Sequence, residues 1–153
     1  MGLFDKVKNM VNKVTGGGAT VTISMEGDSL KAPVKVNITA VVKDAPIEIK
    51  KVYLRFHSVE KINIPKKEVP NYQGTFDLNI EKEVFNRQEF VVAEAQTLEA
   101  GQTYNWSYDV TINDPQAMPT YFGKYVSHEW EFFAALDAKG NDPDSKWQAH
   151  KLA

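Results

Sequence analysis

The sequence contains no cysteine in its 153 residues. The chain therefore has no disulfide framework, no thiolate nucleophile and no thiolate metal ligand. It also lacks any apolar run close to the roughly 20 residues that a membrane-crossing helix needs. Basic residues are not in excess, because the net charge is −2 and the isoelectric point lies near 5.9. A chain without a positive field is not expected to bind nucleic acid.

Histidine is scarce as well, and the three histidines, His57, His128 and His150, lack metal-ligand spacing. Ser127 and Glu129 flank His128, but neighbouring residues of a strand point to opposite faces, so these three side chains cannot form a catalytic triad. His128 falls on the apolar parity of its segment, which predicts a hydrogen-bonded core histidine. We expect no enzymatic activity, no cofactor and no metal site.

What is present is a composition typical of a globular protein, with 42% hydrophobic and 25% charged residues. A chain of this length forms about one domain and hides roughly 70% of the surface that its unfolded state exposes. The start of the chain lacks the continuous apolar region and cleavage site of a secretory signal. We therefore expect a cytoplasmic protein.

The first eighteen residues have a helical pattern. Their apolar residues recur every three or four positions and fall within an arc of about 120° on a helical wheel. These residues are Leu3, Phe4, Val7, Met10, Val11 and Val14, and Lys6 and Lys13 are among the polar residues beside them. Residues 16–18 are three glycines, typical of a helix end followed by a flexible hinge. We predict an amphipathic helix and linker in 1–18, and a separate body in 19–153.

From Ala19 the apolar period changes from 3.6 to 2, which predicts strands. Eight strands are expected, at 19–25, 34–40, 47–60, 75–83, 87–96, 103–113, 124–138 and 146–152. A β-bulge near Lys50 and Lys51 would bring Ile47 and Ile49 onto the same face as Val52. The aromatic face of 103–113 and the apolar face of 124–138 should both be buried. Eight strands without a second helical pattern predict an all-β, two-sheet antiparallel sandwich.

Several features of the second half resemble an arrestin-type domain. They are the turn Leu98-x-x-Gly101, an alternating aromatic strand, the loop Pro119-Thr120-Tyr121 with Gly123 after it, and a long strand ending in a polar hairpin. The short amphipathic start is similar to that of bacterial arrestin-like sporulation-control proteins. This resemblance implies a non-catalytic adaptor or scaffold. Arrestin-like proteins usually pair two such domains, whereas this chain holds one, and the Gly-Glu that often follows the early proline is replaced by Val34-Lys35.

Two loops are further candidates for contacts. Lys61, Lys66 and Lys67 form a locally basic loop, which is either a solvated loop or a contact for a partner or an anionic surface. The acidic segment Asp137–Asp144 lacks EF-hand spacing, so it is either a solvated turn or a weak cation site.

The leading hypothesis is a protein-interaction or adaptor module whose N-terminal helix is a docking or oligomerisation arm. Residues 1–18 carry three Lys and one Asp, a charge of +2, whereas the rest of the chain carries −4. Such a helix can pack on its own sandwich or on another subunit, bind a partner protein, or lie on a membrane surface. The alternatives are a self-assembling structural subunit and a scaffold at the membrane surface.

Overall fold

The computed structural model describes residues 17–69, 71, 73–74 and 76–153. The predicted helix within 1–18 lies almost entirely outside the described residues, so the helix and the domain division that it implies stay predictions.

The described residues form two antiparallel sheets, which confirms the predicted all-β sandwich. One sheet has the order β1-β2-β5, and the other has the order β4-β3-β7-β6 with β8 also paired to β7. The strands are β1 (Ala19–Glu26), β2 (Val34–Val42), β3 (Ile47–Ile64), β4 (Leu78–Leu98), β5 (Thr103–Val110), β6 (Tyr121–Phe122), β7 (Val126–Ala138) and β8 (Gln148–His150), and a single 3-10 turn covers Lys66–Glu68.

The core lies between the inner faces of the two sheets. On β2 every second residue from Val34 to Val42 is buried, as the two-residue period requires. β3 and β7 supply the opposing wall, where Phe56, Trp130 and Phe132 are almost completely buried. Each large apolar side chain buried in this way contributes about 1.5–3 kcal/mol. The prediction that 124–138 presents a buried apolar face is confirmed.

The aromatic face of β5 is less buried than the sequence predicts. Val110 is buried, but Tyr104, Trp106 and Tyr108 are only half-buried. The reason is the position of β5 at the edge of its sheet, where β2 is its only neighbour among the described strands. The predicted burial of this face is therefore confirmed only in part, because the three aromatic side chains pack against the core but stay half-buried.

The predicted bulge in β3 is confirmed. Between Ile49 and Val52 the register of β3 against β7 shifts, because three steps along β3 match two steps along β7. Ile49 is 4% exposed and Val52 is fully buried, so both side chains reach the core despite their opposite parity.

The segments predicted as separate strands at 75–83 and 87–96 belong to one 21-residue strand, β4. Register shifts against β3 occur at three places, between Val52 and Tyr53, between Phe56 and Ser58, and between Ser58 and Val59. Each shift places an additional β4 residue against β3 and reverses the parity of the β4 residues on one side of it relative to the other. The sequence pattern therefore breaks where the strand continues.

The C-terminal segment closes one side of the sandwich. Leu152 is fully buried, its N–H donates to Thr120 Oγ1 at 3.0 Å, and its carbonyl accepts from the Thr120 N–H at 2.8 Å. Ala153 bonds through its backbone to Asp28 and Leu30 in the β1–β2 turn. The strand predicted at 146–152 is shorter in the structure, where β8 covers only Gln148–His150. The short strand β6 was not predicted from the sequence.

Candidate partner-binding surface

A cleft of about 430 Å³ opens between the two sheets on the side formed by β4 and β5. Its base consists of aromatic side chains, and its rim consists of exposed polar side chains. The base residues are Phe56, Phe85, Phe90 and Tyr108, and the rim residues are Gln88, Asp109, Thr111 and Asn113. This volume falls within the usual range of ligand pockets, about 300–1,000 Å³.

The base of the cleft is built by stacked rings. The ring centroid of Phe56 lies 5.6 Å from that of Phe85 and 5.8 Å from that of Phe90. Phe90 in turn stacks on Tyr108 at 5.1 Å, which joins the two sheets across the mouth. Because four rings support one another, the apolar base is formed without a ligand.

Both walls of the cleft are edge strands. Among the described residues, β4 pairs only with β3, and β5 pairs only with β2. The outer edge of such a strand presents backbone N–H and C=O groups that can pair with another chain. The cleft therefore combines an apolar base with hydrogen-bonding groups along its sides.

Strand β4 also exposes apolar side chains. Ile80, Val84 and Val91 are 52%, 44% and 54% exposed, and Phe76 just before the strand is 79% exposed. The bulges of β4 interrupt the regular spacing of its backbone groups, which disfavours unrestricted pairing between strand edges. This edge is therefore better suited to one specific contact than to repeated pairing of strand edges between molecules.

The sequence-predicted contact residues are only partly placed by the structure. Leu3, Phe4, Lys6, Val7, Met10, Val11, Lys13 and Val14 all lie outside the described residues. Lys66 and Lys67 are exposed in the 3-10 turn after β3, as a loop requires.

Lys61 does not belong to that loop, and this part of the prediction is wrong. It lies within β3, and its Nζ pairs with Glu129 Oε2 at 3.2 Å and Glu131 Oε2 at 3.4 Å. Partial burial lowers the pKa of Lys61, but the two carboxylates outweigh that effect and raise it above its ordinary value. Its charge is thus already compensated within the sheet.

The outer face of the larger sheet holds a buried histidine that the sequence did not single out. His57 Nδ1 lies 2.8 Å from Glu83 Oε2, and His57 Nε2 lies 3.0 Å from Glu131 Oε1. The imidazole stacks on Trp147 at 4.0 Å, and the Arg87 guanidinium lies 5.3 Å from the centre of the same Trp147 ring. Ionised carboxylates only accept hydrogen bonds, so both ring nitrogens are satisfied when both carry protons.

This cluster links β3, β4, β7 and the C-terminal segment. The Arg87 N–H donates to Glu83, and together with the His57 hydrogen bond this holds the pKa of Glu83 below its ordinary value. The sequence offers one signal, since Glu129 and Glu131 occupy the outward parity of a strand that lies next to His57. The stacking partner Trp147 is ninety residues away, so local pattern could not identify it.

His128 is a core histidine, as predicted. It is 1% exposed, and its Nδ1 lies 2.9 Å from the carbonyl oxygen of Pro119, which can only accept. Its Nε2 lies 2.9 Å from Ser58 Oγ, and that hydroxyl accepts the Phe85 N–H. The proton therefore sits on Nδ1, and every group in this small network has a partner. The network holds β3, β4 and β7 together.

The acidic loop Asp137–Asp144 is engaged by the protein itself. Asp142 accepts hydrogen bonds from the Tyr53 hydroxyl at 2.8 Å and from the Ala138 N–H at 3.1 Å. Burial and the bond to Asp142 raise the pKa of Tyr53 well above its ordinary value. Over residues 17–69, 71, 73–74 and 76–153, no group of three or more His, Asp or Glu side chains is placed to hold a metal ion.

Within that same part of the chain, no helix has the length and apolar character to span a bilayer.

Comparison with known proteins reveals a similarity of fold to a solved structure. No family model matches the sequence, and no curated protein matches it. The crystal structure of Spo0M, a sporulation control protein from Bacillus subtilis with an arrestin-like fold, is similar with a TM-score of 0.61 and 17% sequence identity. The match covers 89% of this chain and 49% of Spo0M, so this chain spans about half of that protein's length. At this identity the similarity shows the fold alone.

Proposed function

We propose that this protein is a non-catalytic interaction module of arrestin-like type, an adaptor that binds a protein partner at the cleft between β4 and β5. The single observation that carries the proposal is the cleft itself. It is an aromatic base flanked by two strand edges and rimmed by exposed polar side chains. No reaction is assigned to it.

Such a surface gains binding energy from its strand edges and from its aromatic base. An extended segment of a partner can pair with a strand edge while alternate side chains enter the apolar base. Aromatic side chains in a partly enclosed site supply large contact area at low cost in conformational entropy. The polar rim then sets the orientation of the bound segment.

The N-terminal arm, residues 1–18, is the second part of the proposal. Its apolar face is predicted to dock on another surface, either within the chain or on a second subunit. Attachment of this arm to a membrane surface stays a prediction, and sedimentation with liposomes of mixed neutral and anionic lipid would detect it.

A pull-down from native lysate tests the proposed binding site. Thr111→Arg places a long charged side chain at the rim of the cleft, whereas Ser107→Arg places the same side chain on β5 at a position that does not line the cleft. We expect the first substitution to abolish capture of the partner and the second to leave it unchanged. Equal capture by both variants would show that the partner binds elsewhere.

A self-assembling structural subunit is the second candidate function, and the exposed apolar residues of β4 favour it. Ile80, Val84 and Val91 lie on β4, whose outer edge has no partner among the described strands, and such an edge is typical of strands that pair between subunits. Light scattering of the purified protein at micromolar concentration separates the candidates. A monomer supports the adaptor, and a large assembly that Val84→Lys disperses supports the structural subunit.

A further inference from the structure

We propose that the cleft between β4 and β5 binds an arginine side chain of the partner, presented on an extended segment of that protein. This inference rests on the proposed function, because it names the chemistry of the residue that the partner places in the cleft. Three features of the cleft support it: aromatic rings at the base, a carboxylate at the rim, and further hydrogen-bond acceptors beside that carboxylate.

The outer face of the larger sheet shows how this protein holds its own arginines. The Arg55 guanidinium lies 4.9 Å from the centre of the Tyr53 ring, and its Nε donates to Glu89 Oε1 at 2.7 Å. The Arg87 guanidinium lies 5.3 Å from the centre of the Trp147 ring, and its Nη2 lies 3.9 Å from a carboxylate oxygen of a second glutamate on β4. Each guanidinium is thus placed over an aromatic ring and close to a carboxylate.

The cleft brings the same two kinds of group together. Its lining includes the stacked rings of Phe90 and Tyr108, which both stay half-buried, and the exposed carboxylate of Asp109. None of the described lining residues is Lys or Arg. In the part of the chain that the structure describes, the Asp109 side chain has no hydrogen bond and no ion pair, although Lys35 lies opposite it on β2. A partner's cation that stacks on the rings can therefore pair with Asp109.

The rim adds hydrogen-bond acceptors that suit a guanidinium. The Gln88 side-chain nitrogen donates to the Asn86 carbonyl at 3.0 Å, so the Gln88 side-chain oxygen is left to accept from a ligand. Thr111 and Asn113, both exposed, supply a hydroxyl and an amide oxygen to the same rim. A guanidinium has five N–H donors and no acceptor, and its flat faces stack on aromatic rings. A lysine ammonium suits the cleft less well, because it is a compact cation without a flat face.

The charge of the two cleft strands also favours a cationic segment. Residues 78–114, which include β4 and β5, contain seven acidic and two basic residues, a charge of −5. One of the two basic residues, Arg87, is already engaged with Trp147 and Glu83 on the outer face. These strands therefore complement a partner segment that carries positive charge.

The edge of β4 offers a place for that segment to pair. The lining residues Gln88 and Phe90 fall within 88–91, four residues that pair with β3 in unbroken register. An extended segment can add to the outer edge of this regular stretch, and alternate side chains of such a segment then point toward the cleft. An arginine at one of these positions reaches the rings and Asp109 together.

Peptide binding to the full chain tests the inference. The ligands are synthetic peptides of sequence acetyl-Thr-Val-X-Val-Thr-amide, in which X is arginine, citrulline or lysine. Citrulline keeps the shape of arginine without its charge, and lysine keeps the charge without the flat face. Amide chemical shifts in 85–90 and 108–113 report binding in the cleft. We expect the dissociation constant of the arginine peptide to be roughly tenfold below that of the citrulline peptide and about threefold below that of the lysine peptide.

Three results of this titration would overturn the proposal. They are equal affinities for the arginine and citrulline peptides, shift changes confined to residues outside 85–90 and 108–113, and no detectable binding of the arginine peptide at about 10 mM.

Matched variants locate the charge that is recognised. Asp109→Asn keeps the shape of the side chain and removes its charge, whereas Asp44→Asn makes the same change in the β2–β3 turn, outside the cleft. We expect Asp109→Asn to raise the dissociation constant of the arginine peptide roughly tenfold and to leave that of the citrulline peptide unchanged. Asp44→Asn should change neither. Equal effects of the two variants would contradict pairing with Asp109.

Position 111 separates recognition of charge from the space available at the rim. Thr111→Arg supplies a guanidinium from the chain itself and should abolish binding of the arginine peptide. Thr111→Glu also enlarges the side chain but adds a negative charge, so it should lower the dissociation constant of the arginine peptide about threefold. Weaker binding in both variants would mean that space limits the site, and it would overturn the proposal.

The inference and the proposed function can fail separately. Partner capture that Thr111→Arg blocks, together with no preference for the arginine peptide, would overturn the inference alone. Binding of the arginine peptide in the cleft, together with partner capture that Thr111→Arg leaves unchanged, would overturn the proposed function alone.

Discussion

The two flanks of the sandwich differ in how they are closed. On the β7 flank the C-terminal segment covers the gap between the sheets, with Leu152 fully buried and backbone hydrogen bonds to Thr120 and Asp28. On the β4–β5 flank, Phe90 and Tyr108 stack across an otherwise open cleft and both remain half-buried. The flank that has no covering segment among the described residues leaves the edges of β4 and β5 open to another chain, so binding is expected there.

The same contrast appears in the two buried histidines of the larger sheet. His128 faces the core and is satisfied by a carbonyl and a hydroxyl, whereas His57 faces outward and is satisfied by two carboxylates. Both hold neighbouring strands together. Both networks include residues of β3, β4 and β7, so they tie the strand at the open flank to the strands of the closed one.

The largest effect on stability is expected at the closed flank. Leu152→Ala removes a fully buried side chain and leaves a cavity, which should lower the free energy of unfolding by about 3 kcal/mol. Val91→Ala is the matched control, because Val91 is 54% exposed and should change stability by less than about 0.5 kcal/mol. Urea unfolding followed by tryptophan fluorescence measures both. Similar losses in the two variants would mean that the C-terminal segment does not seal the core.

A smaller loss of stability is expected when the His57 cluster on the outer face of the larger sheet is disrupted. His57→Leu removes the ring nitrogens that contact Glu83 and Glu131 while keeping most of the stacking volume against Trp147. Leaving the 12%-exposed Glu131 carboxylate without one donor should cost about 2 kcal/mol. Trp147→Phe retains an aromatic partner and should cost less in the same unfolding assay. If His57→Leu left the free energy of unfolding unchanged, the His57 cluster would contribute nothing to the stability of the sandwich.

A still smaller effect on stability, and one that depends on pH, is expected from Glu89 on the exposed face of β4. The hydrogen bond from Arg55, joined by Lys51, holds the pKa of Glu89 below its ordinary value of 4.5, although partial burial opposes this shift. A carboxylate with a depressed folded-state pKa stabilises above pH 4.5, and that stability disappears as the pH falls through the folded-state pKa. We expect Glu89→Gln to lower stability at pH 6 by at most about 1 kcal/mol, and we expect this difference from the wild type to shrink as the pH falls below 4.5. A difference that grows toward low pH would have the wrong sign.

The smallest effect on stability is expected at the cleft rim. Thr111→Arg alters an exposed side chain outside any strand, so the free energy of unfolding should change by less than about 0.5 kcal/mol. Thermal unfolding of this variant and of Ser107→Arg should therefore give closely similar midpoints. A large destabilisation by Thr111→Arg alone would make its binding defect a folding defect.

The strands were largely predictable because a half-buried strand carries a two-residue period that local sequence records. The bulge at Lys50 and Lys51 was predictable for the same reason, since it is visible as a change of parity. The continuity of β4 was not predictable, because its bulges also change parity and resemble a turn. The incomplete burial of Trp106 depends on β5 being an edge strand, and strand order is not recorded in local periodicity.

The candidate site was harder to predict than the fold. The cleft brings together Phe56, Phe85 and Tyr108 from three strands in two sheets, and pairing across that distance leaves no local pattern. Lys61 was assigned to a basic loop because β3 continues four residues beyond the predicted strand end at Glu60. Its pairing with Glu129 and Glu131 depends on the register between β3 and β7.

Hydrogen exchange of the full chain, alone and with the captured partner, tests the central claim that the open flank is the binding surface. The prediction is that the partner slows amide exchange in 85–90 and 108–113 and leaves 130–132 and 148–150 unchanged. Slower exchange confined to 130–132 and 148–150, with no change along β4 and β5, would contradict it.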